Sequence, residues 1–226
     1  MLRQNSTNLV RIGILVLPLS GLLTLTGLLG SYGEPEARVD VKAAAQAAAS
    51  TGYFVSQLTN IVSLIALIFG VMALAAYLAH TRARVVALVA MVSSIAGIGL
   101  MLPILGLRAY ALPAVGLAYL DGQEDAVALV NIIFDSALAT IVYILVVAIY
   151  SVGFLLFGVA IWRSGVLRRP PAIALALHAP LLSSFIRPQT SLASIVGALL
   201  FILGSTFICL SVFRNPLPGE AGPPPR

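Results

Sequence analysis

Apolar residues run along this chain in six long blocks: Ile12 to Gly30, Phe54 to Ala79, Val85 to Leu107, Ala126 to Trp162, Ala172 to Ile186 and Ser191 to Phe213. Polar residues collect between the blocks instead of alternating within them, so the period of a half-buried strand is missing and helices are predicted. Crossing ~30 Å of hydrocarbon takes about 20 helical residues, and in lipid only helices and closed barrels satisfy every backbone group. The pattern therefore predicts an all-α fold, a polytopic membrane bundle of six transmembrane helices over residues 1–214. The second and fourth blocks are longer than a crossing needs, which predicts helices that tilt or protrude outward. Between blocks, the alanine-rich stretch Ala43 to Ser50 is expected to be helical. Arg108 to Asp125, with Tyr110, Pro113, Gly116 and Tyr119, reads as an interfacial segment lying on the outer surface, where tyrosines are favoured. Residues 215–226 carry five prolines and are expected to be a disordered cytoplasmic tail.

The cations orient the bundle, because Lys and Arg near span ends stay on the cytoplasmic side. Counting six spans puts Arg3, Arg11, Arg82, Arg84, Arg163, Arg168, Arg169, Arg214 and Arg226 on one side. The other side receives Arg38, Lys42, Arg108 and Arg187 together with Glu34, Glu36, Asp40, Asp121, Glu124 and Asp125. Both termini are thus expected in the cytoplasm, with the protein multi-pass in the cell membrane. The first block has a basic start like a signal peptide. Its apolar stretch is too long for one and Gly30-Ser31-Tyr32-Gly33 is a poor cleavage site, so it is expected to stay; cleavage would leave five spans.

Composition strengthens this picture. Hydrophobic residues are 60% of the chain and charged residues 9%, with a mean hydropathy of +1.04, too little polarity to cover a soluble globule. The net charge of +5 therefore reads as a set of topology signals and lipid headgroup contacts, and no nucleic acid partner is expected. The expected partners are the lipid bilayer and a membrane protein partner or a second copy of the chain.

Candidate chemistry is sparse. The one cysteine, Cys209, lies within the last block as a small apolar filler, and the two histidines, His80 and His178, are too few for a metal cluster. His178 sits about two turns into the fifth block, where a hydrogen bond to a neighbouring helix is its expected use. No zinc, serine-nucleophile or nucleotide-phosphate motif occurs. The chain is accordingly expected to be neither an enzyme nor a cofactor carrier. The small residues Ser93 with Gly97, and Ala193 with Gly197, have the spacing that lets helices approach closely inside a bundle. Leu67 to Leu74 and Leu155 to Trp162 share a Phe-Gly-Val core before a basic turn, an echo that parallel duplication would explain.

One polar constellation stands out. Asp135 lies 27 residues before Trp162 and Tyr53 lies 27 before His80, so continuous helices would bring Asp135 level with Gln57, Asn60, Asn131, Arg108 and Arg187 near the outer side. These six form a candidate outward-facing polar pocket in which Asp135 attracts a cation or amine and the amides supply neutral hydrogen bonds. The alternative is that Asp135 pairs with Arg108 or Arg187 and pins the outer ends of the bundle.

The segment Trp162-Arg163-Ser164-Gly165-Val166-Leu167, followed by Arg168 and Arg169, resembles the W-R-S-G-x-L-x-R turn of a family of bacterial six-helix membrane proteins classed as a domain of unknown function. The hydrophobic layout from Ile12 to Phe213 is similar to that family. The resemblance implies the six-helix fold and no catalytic residues. Two functional classes follow from the sequence: a non-enzymatic membrane assembly or accessory protein with broad apolar faces, and, as the alternative, a small-solute or cation permease built on the pocket around Asp135.

Overall fold

The computed structural model describes residues 2–30, 40–126, 128, 130, 132, 136–167, 169–182 and 192–214. They form helices α1 (Leu2–Gly30), α2 (Val41–Ala48), α3 (Thr51–Leu78), α4 (Arg84–Leu120), α5 (Ala137–Ser164), α6 (Arg169–Leu182) and α7 (Leu192–Arg214). Five of these, α1, α3, α4, α5 and α7, are long and apolar enough to cross a membrane. The described part of α6 has 14 residues, ~21 Å of helix. The outer end expected for the fifth block falls at 183–186, outside the described residues, as does the expected tail 215–226.

Local chemistry explains where the helices start and stop. Asp40 caps α2 by accepting from the Ala43 amide at 2.9 Å, and Ser50 caps α3 by accepting from Tyr53 at 3.1 Å. The alanine-rich stretch is therefore helical, as expected, and hands over directly to the longer helix. α5 ends at Gly165, whose φ of +69° is the left-handed C-cap that glycine adopts without strain. That closes the Trp162 turn. Across it, the Arg169 guanidinium lies 4.8 Å from the centre of the Trp162 ring, a cation–π contact.

Two segments differ from expectation. Arg108 to Leu120 is not a separate interfacial segment: α4 runs unbroken through Pro103 and Pro113 for 37 residues. Tertiary packing holds the extension. α2 lies against it, with Gly116 so close to the Ala45 carbonyl that a Cβ there would come within 2.7 Å of the oxygen. Tyr110 also meets Phe54 of α3 edge-on at 5.7 Å. The fourth block, expected as one helix from Ala126, is broken at Ser136: the described residues Ala126, Ala128, Val130 and Ile132 are helical, and the long helix starts at Ala137. Ser136, with φ −64° and ψ 150°, breaks the helical path and caps α5 by accepting from the Ala139 amide at 3.2 Å.

Excluding α2, the helices close into a ring in the order α1, α3, α4, α5, α6, α7 and back to α1. Small residues and hydroxyls set the close approaches, as in lipid where apolar burial alone cannot drive helices together. Between α1 and α3, the Ser63 hydroxyl donates to the Ser20 carbonyl at 2.7 Å and Ser56 donates to the Gly27 carbonyl at 2.9 Å. Between α4 and α5, Gly97 meets the Tyr150 backbone and Gly153 meets Ser94. Gly197 of α7 lies against Leu182 and the His178 carbonyl of α6. The two small-residue pairs thus contribute Gly97 and Gly197 to internal packing. The sequence echo is used differently at its two sites: Gly70 packs on Leu17 of the preceding α1, whereas Gly158 packs on Ala172 and Ala176 of the following α6.

Toward the basic turns the interior is solid, with Leu74, Tyr77, Leu78, Phe157 and Ile161 fully buried. The outer surface of the ring carries large apolar side chains, Phe69, Leu138 and Leu192 among them, in the manner of a protein surrounded by lipid.

Candidate functional site

The half of the ring remote from the basic turns contains a cavity. Helix rise locates it: from their basic-turn ends, Leu67 lies ~17 Å and Gln57 ~32 Å along α3, Tyr150 ~21 Å and Tyr143 ~32 Å along α5, and Arg108 ~36 Å along α4. The space open to the centre of a water molecule is about 100 Å³. At ~10–15 Å³ of such space per molecule, that holds several waters or a small part of a larger ligand. The cavity is neither sealed nor flat, and six helices line it: Thr24 from α1; Gln57, Asn60, Leu64 and Leu67 from α3; Met101, Ile104, Leu105 and Arg108 from α4; Tyr143 and Tyr150 from α5; Leu182 from α6; Ala198 and Phe201 from α7.

Its polarity is graded along the helices. Gln57, Asn60, Arg108 and Tyr143 gather at the end away from the basic turns; at the inner end Leu64, Leu67 and Phe201 are apolar, and the hydroxyls of Thr24 and Tyr150 there are already paired with Ser63 and His178. Gln57 is 5% exposed and its Oε1 has no hydrogen-bond partner among the described residues. A buried amide oxygen left in that state costs ~1–3 kcal/mol unless something in the cavity donates to it. Asn60 is held at its level by Gly27 of α1, which abuts the Asn60 amide so closely that any side chain at 27 would displace it. Arg108 is half-buried, and among the described residues lining the cavity it is the only ionised group.

The inner wall rests on a buried histidine. His178 on α6 is fully buried, with Nδ1 at 2.5 Å from its own helix's Leu175 carbonyl. Nδ1 therefore carries the proton and Nε2 is the acceptor, which receives the Tyr150 hydroxyl at 3.3 Å. This is the interhelical use expected for His178. Phe154 and Phe201 hold the ring, with centroids at 4.5 Å and 4.6 Å. Since Tyr150 and Phe201 also line the cavity, the histidine fixes the shape of the cavity wall without touching its contents.

Of the six residues singled out from the sequence, the structure brings Gln57, Asn60 and Arg108 to one cavity. Asp135, Asn131 and Arg187 lie outside the described residues. The level assigned to Asp135 assumed a continuous helix to Trp162, and the break at Ser136 removes that assumption. Thr24, Tyr143 and Tyr150 were not foreseen. Tyr143 and Tyr150 are seven residues apart on α5 and so share a face. Tyr150 also lies too deep for an interfacial belt, a signal legible in the sequence.

No family model matches the chain, and comparison with curated proteins and with solved structures finds no match. The resemblance at the Trp162 turn consequently stands on its own residues.

Proposed function

We propose that this is a non-enzymatic integral membrane protein whose work is to bind a small molecule in the cavity between its helices. Six crossings are part of the reading, with α6 counted among them and the arginine-rich turns in the cytoplasm. The observation that carries it is the cavity itself. An interior built only for assembly has no reason to retain, within one ring of apolar helices, a cation, a buried amide oxygen without a partner among the described residues and open volume beside them. The described lining presents a cation, so the charge it complements is negative, opposite to the cation expected for a site around Asp135.

The test is retention of ligand. Purified in mild detergent, the wild-type chain should carry a molecule detectable by native mass spectrometry. Leu105→Trp, which places an indole in the cavity, should lose it while keeping its fold. A wild-type protein that carries nothing, or a variant that carries the same molecule, rejects the reading.

Assembly remains a second reading because of one surface. From Ala137 to Leu145, α5 is exposed on nearly every side, with Leu138, Ile141, Ile144 and Leu145 each more than half exposed. A membrane partner packed there would bury it, and recovery of the chain with a stoichiometric partner that an α5 variant such as Ile141→Asn releases would favour this reading.

A further inference from the structure

Within the binding function proposed above, the lining also specifies a ligand class. We propose that the cavity takes a single-chain anionic amphiphile, its carboxylate or phosphate head against Arg108 and its apolar chain directed toward Leu67 and Phe201. The inference rests on that binding function.

The chemistry is ordered along one axis. Gln57 and Leu67 are separated by ten residues of α3, ~15 Å, and between them the wall changes from amide to aliphatic. On the neighbouring helix α4, Arg108 lines the same cavity with a guanidinium, which presents N–H donors in a fork suited to two oxygens of one anion. Asn60 and the Tyr143 hydroxyl flank this end and add neutral donors. The Gln57 side chain is more than nine-tenths buried and its Oε1 has no partner among the described residues, a second and independent sign that this end is built to meet a polar group. Its oxygen accepts from a protonated phosphate oxygen or a hydroxyl on the head; turned about its last bond, the side chain offers its NH₂ to the same head.

Other ligand classes fit less well. A cation would face Arg108 with no carboxylate among the described lining residues to offset it. A fully polar solute would leave its hydrogen bonds unmet against Leu64, Leu67, Leu105 and Phe201. A neutral apolar molecule would fill the inner end and leave both Arg108 and Gln57 unserved. Only a molecule polar at one end and apolar at the other matches both halves.

The test uses the full chain in phosphatidylcholine nanodiscs at mildly alkaline pH, with four probes that share one alkyl chain and differ in their heads: laurate, lauryl phosphate, laurylamine and lauryl alcohol. Saturable rises in unfolding temperature report binding, and Leu105→Trp, with its cavity filled, subtracts simple partitioning into the bilayer. Laurate or lauryl phosphate should stabilise the wild type and laurylamine should not; which anion binds more tightly separates a carboxylate source from a phosphate source. Arg108→Gln should weaken anion binding at least about tenfold, the loss of a charge-assisted pair, and Arg108→Lys should retain part of it. Equal response to laurylamine or lauryl alcohol, or undiminished laurate binding by Arg108→Gln, overturns the anion assignment while leaving a binding cavity. The latter result would mean that Arg108 simply reaches to the headgroup region. Absence of saturable binding by all four probes overturns both the assignment and the binding function. If both Arg108 variants fail to fold, the comparison of laurate with laurylamine on the wild type decides alone.

Discussion

Replacing Gly97 by alanine adds one methyl group at the crossing of α4 and α5, and the structure says what it meets. The new Cβ would lie 2.6 Å from the Tyr150 Cα and 2.7 Å from its amide nitrogen, main-chain atoms with no rotamer to move away. Ordinary contact begins at 3.4 Å, so the helices must part locally by about 0.8 Å. A radial gap of 0.5–1 Å forfeits roughly a quarter to a half of the dispersion attraction across the surfaces it opens. Overpacking of this kind costs ~1–3 kcal/mol, and the better helix propensity of alanine returns up to ~1 kcal/mol. A net loss of ~1–2 kcal/mol is expected. For a chain of this size that is a fall in Tm of roughly 2–8 °C, measured by static light scattering or intrinsic fluorescence in one detergent. Gly99 is the control. It sits two residues away with open space around it, and Gly99→Ala should leave Tm unchanged or slightly raised. Gly153→Ala presses on Ser94 at the same crossing, so the double variant should lose less than the two single losses added together. An unchanged Tm for Gly97→Ala, or strict additivity with Gly153→Ala, refutes the claim that this contact sets the spacing of the ring.

Three further outcomes are expected. Gly165→Ala forces an L side chain to φ +69° beside the Arg82 guanidinium and should cost ~1–2 kcal/mol, with Gly165→Asn milder; equal stability of all three forms in thermal melts argues against the left-handed cap. Tyr150→Phe removes the donor to His178 Nε2 in a fully buried site and should lower stability by ~1–3 kcal/mol, whereas an unchanged Tm would show that the 3.3 Å contact contributes nothing. Fusions of a reporter after Arg82, Leu120, Arg168 and Arg226 should report inside, outside, inside and inside, and an outside C-terminus would sink the six-crossing arrangement.

The broad fold was legible because lipid leaves the backbone few choices. Continuous apolar runs such as Ile61 to Ala79 can satisfy their amides only as helices, and five of the expected spans are helices of sufficient length. The ends were harder. Nothing in the hydropathy of Arg108 to Leu120 distinguishes a segment lying on the membrane from a helix continuing out of it. The decision came from α2 docking on Gly116, a contact between residues far apart in sequence. The opposite error occurred at Ser136. Apolar character suggested a longer helix, yet Ser136 is a competent cap, and a cap outweighs hydropathy where a helix begins.

The cavity was legible in its parts and not in its assembly. Gln57 and Asn60 fall three residues apart on one helix face and Tyr143 and Tyr150 seven apart, so α3 announces a polar stripe and α5 an aromatic one, while α4 offers only the single cation Arg108. Which stripes converge is decided by the order of helices around the ring and by how closely each pair packs. Those quantities are set at Gly27, Gly97 and Gly153, residues with no polar side chain to attract notice. The sign of the site followed the same logic. Asp135 drew attention as a lone carboxylate in an apolar block, whereas Arg108 entered the candidate pocket only as a neighbour or ion-pair partner of Asp135, because the third span was expected to end beside it. Once α4 continues thirteen residues past Leu107, Arg108 belongs to the interior of a helix, and a guanidinium that lines a cavity there has electrostatic consequences that an anchor at a helix end does not.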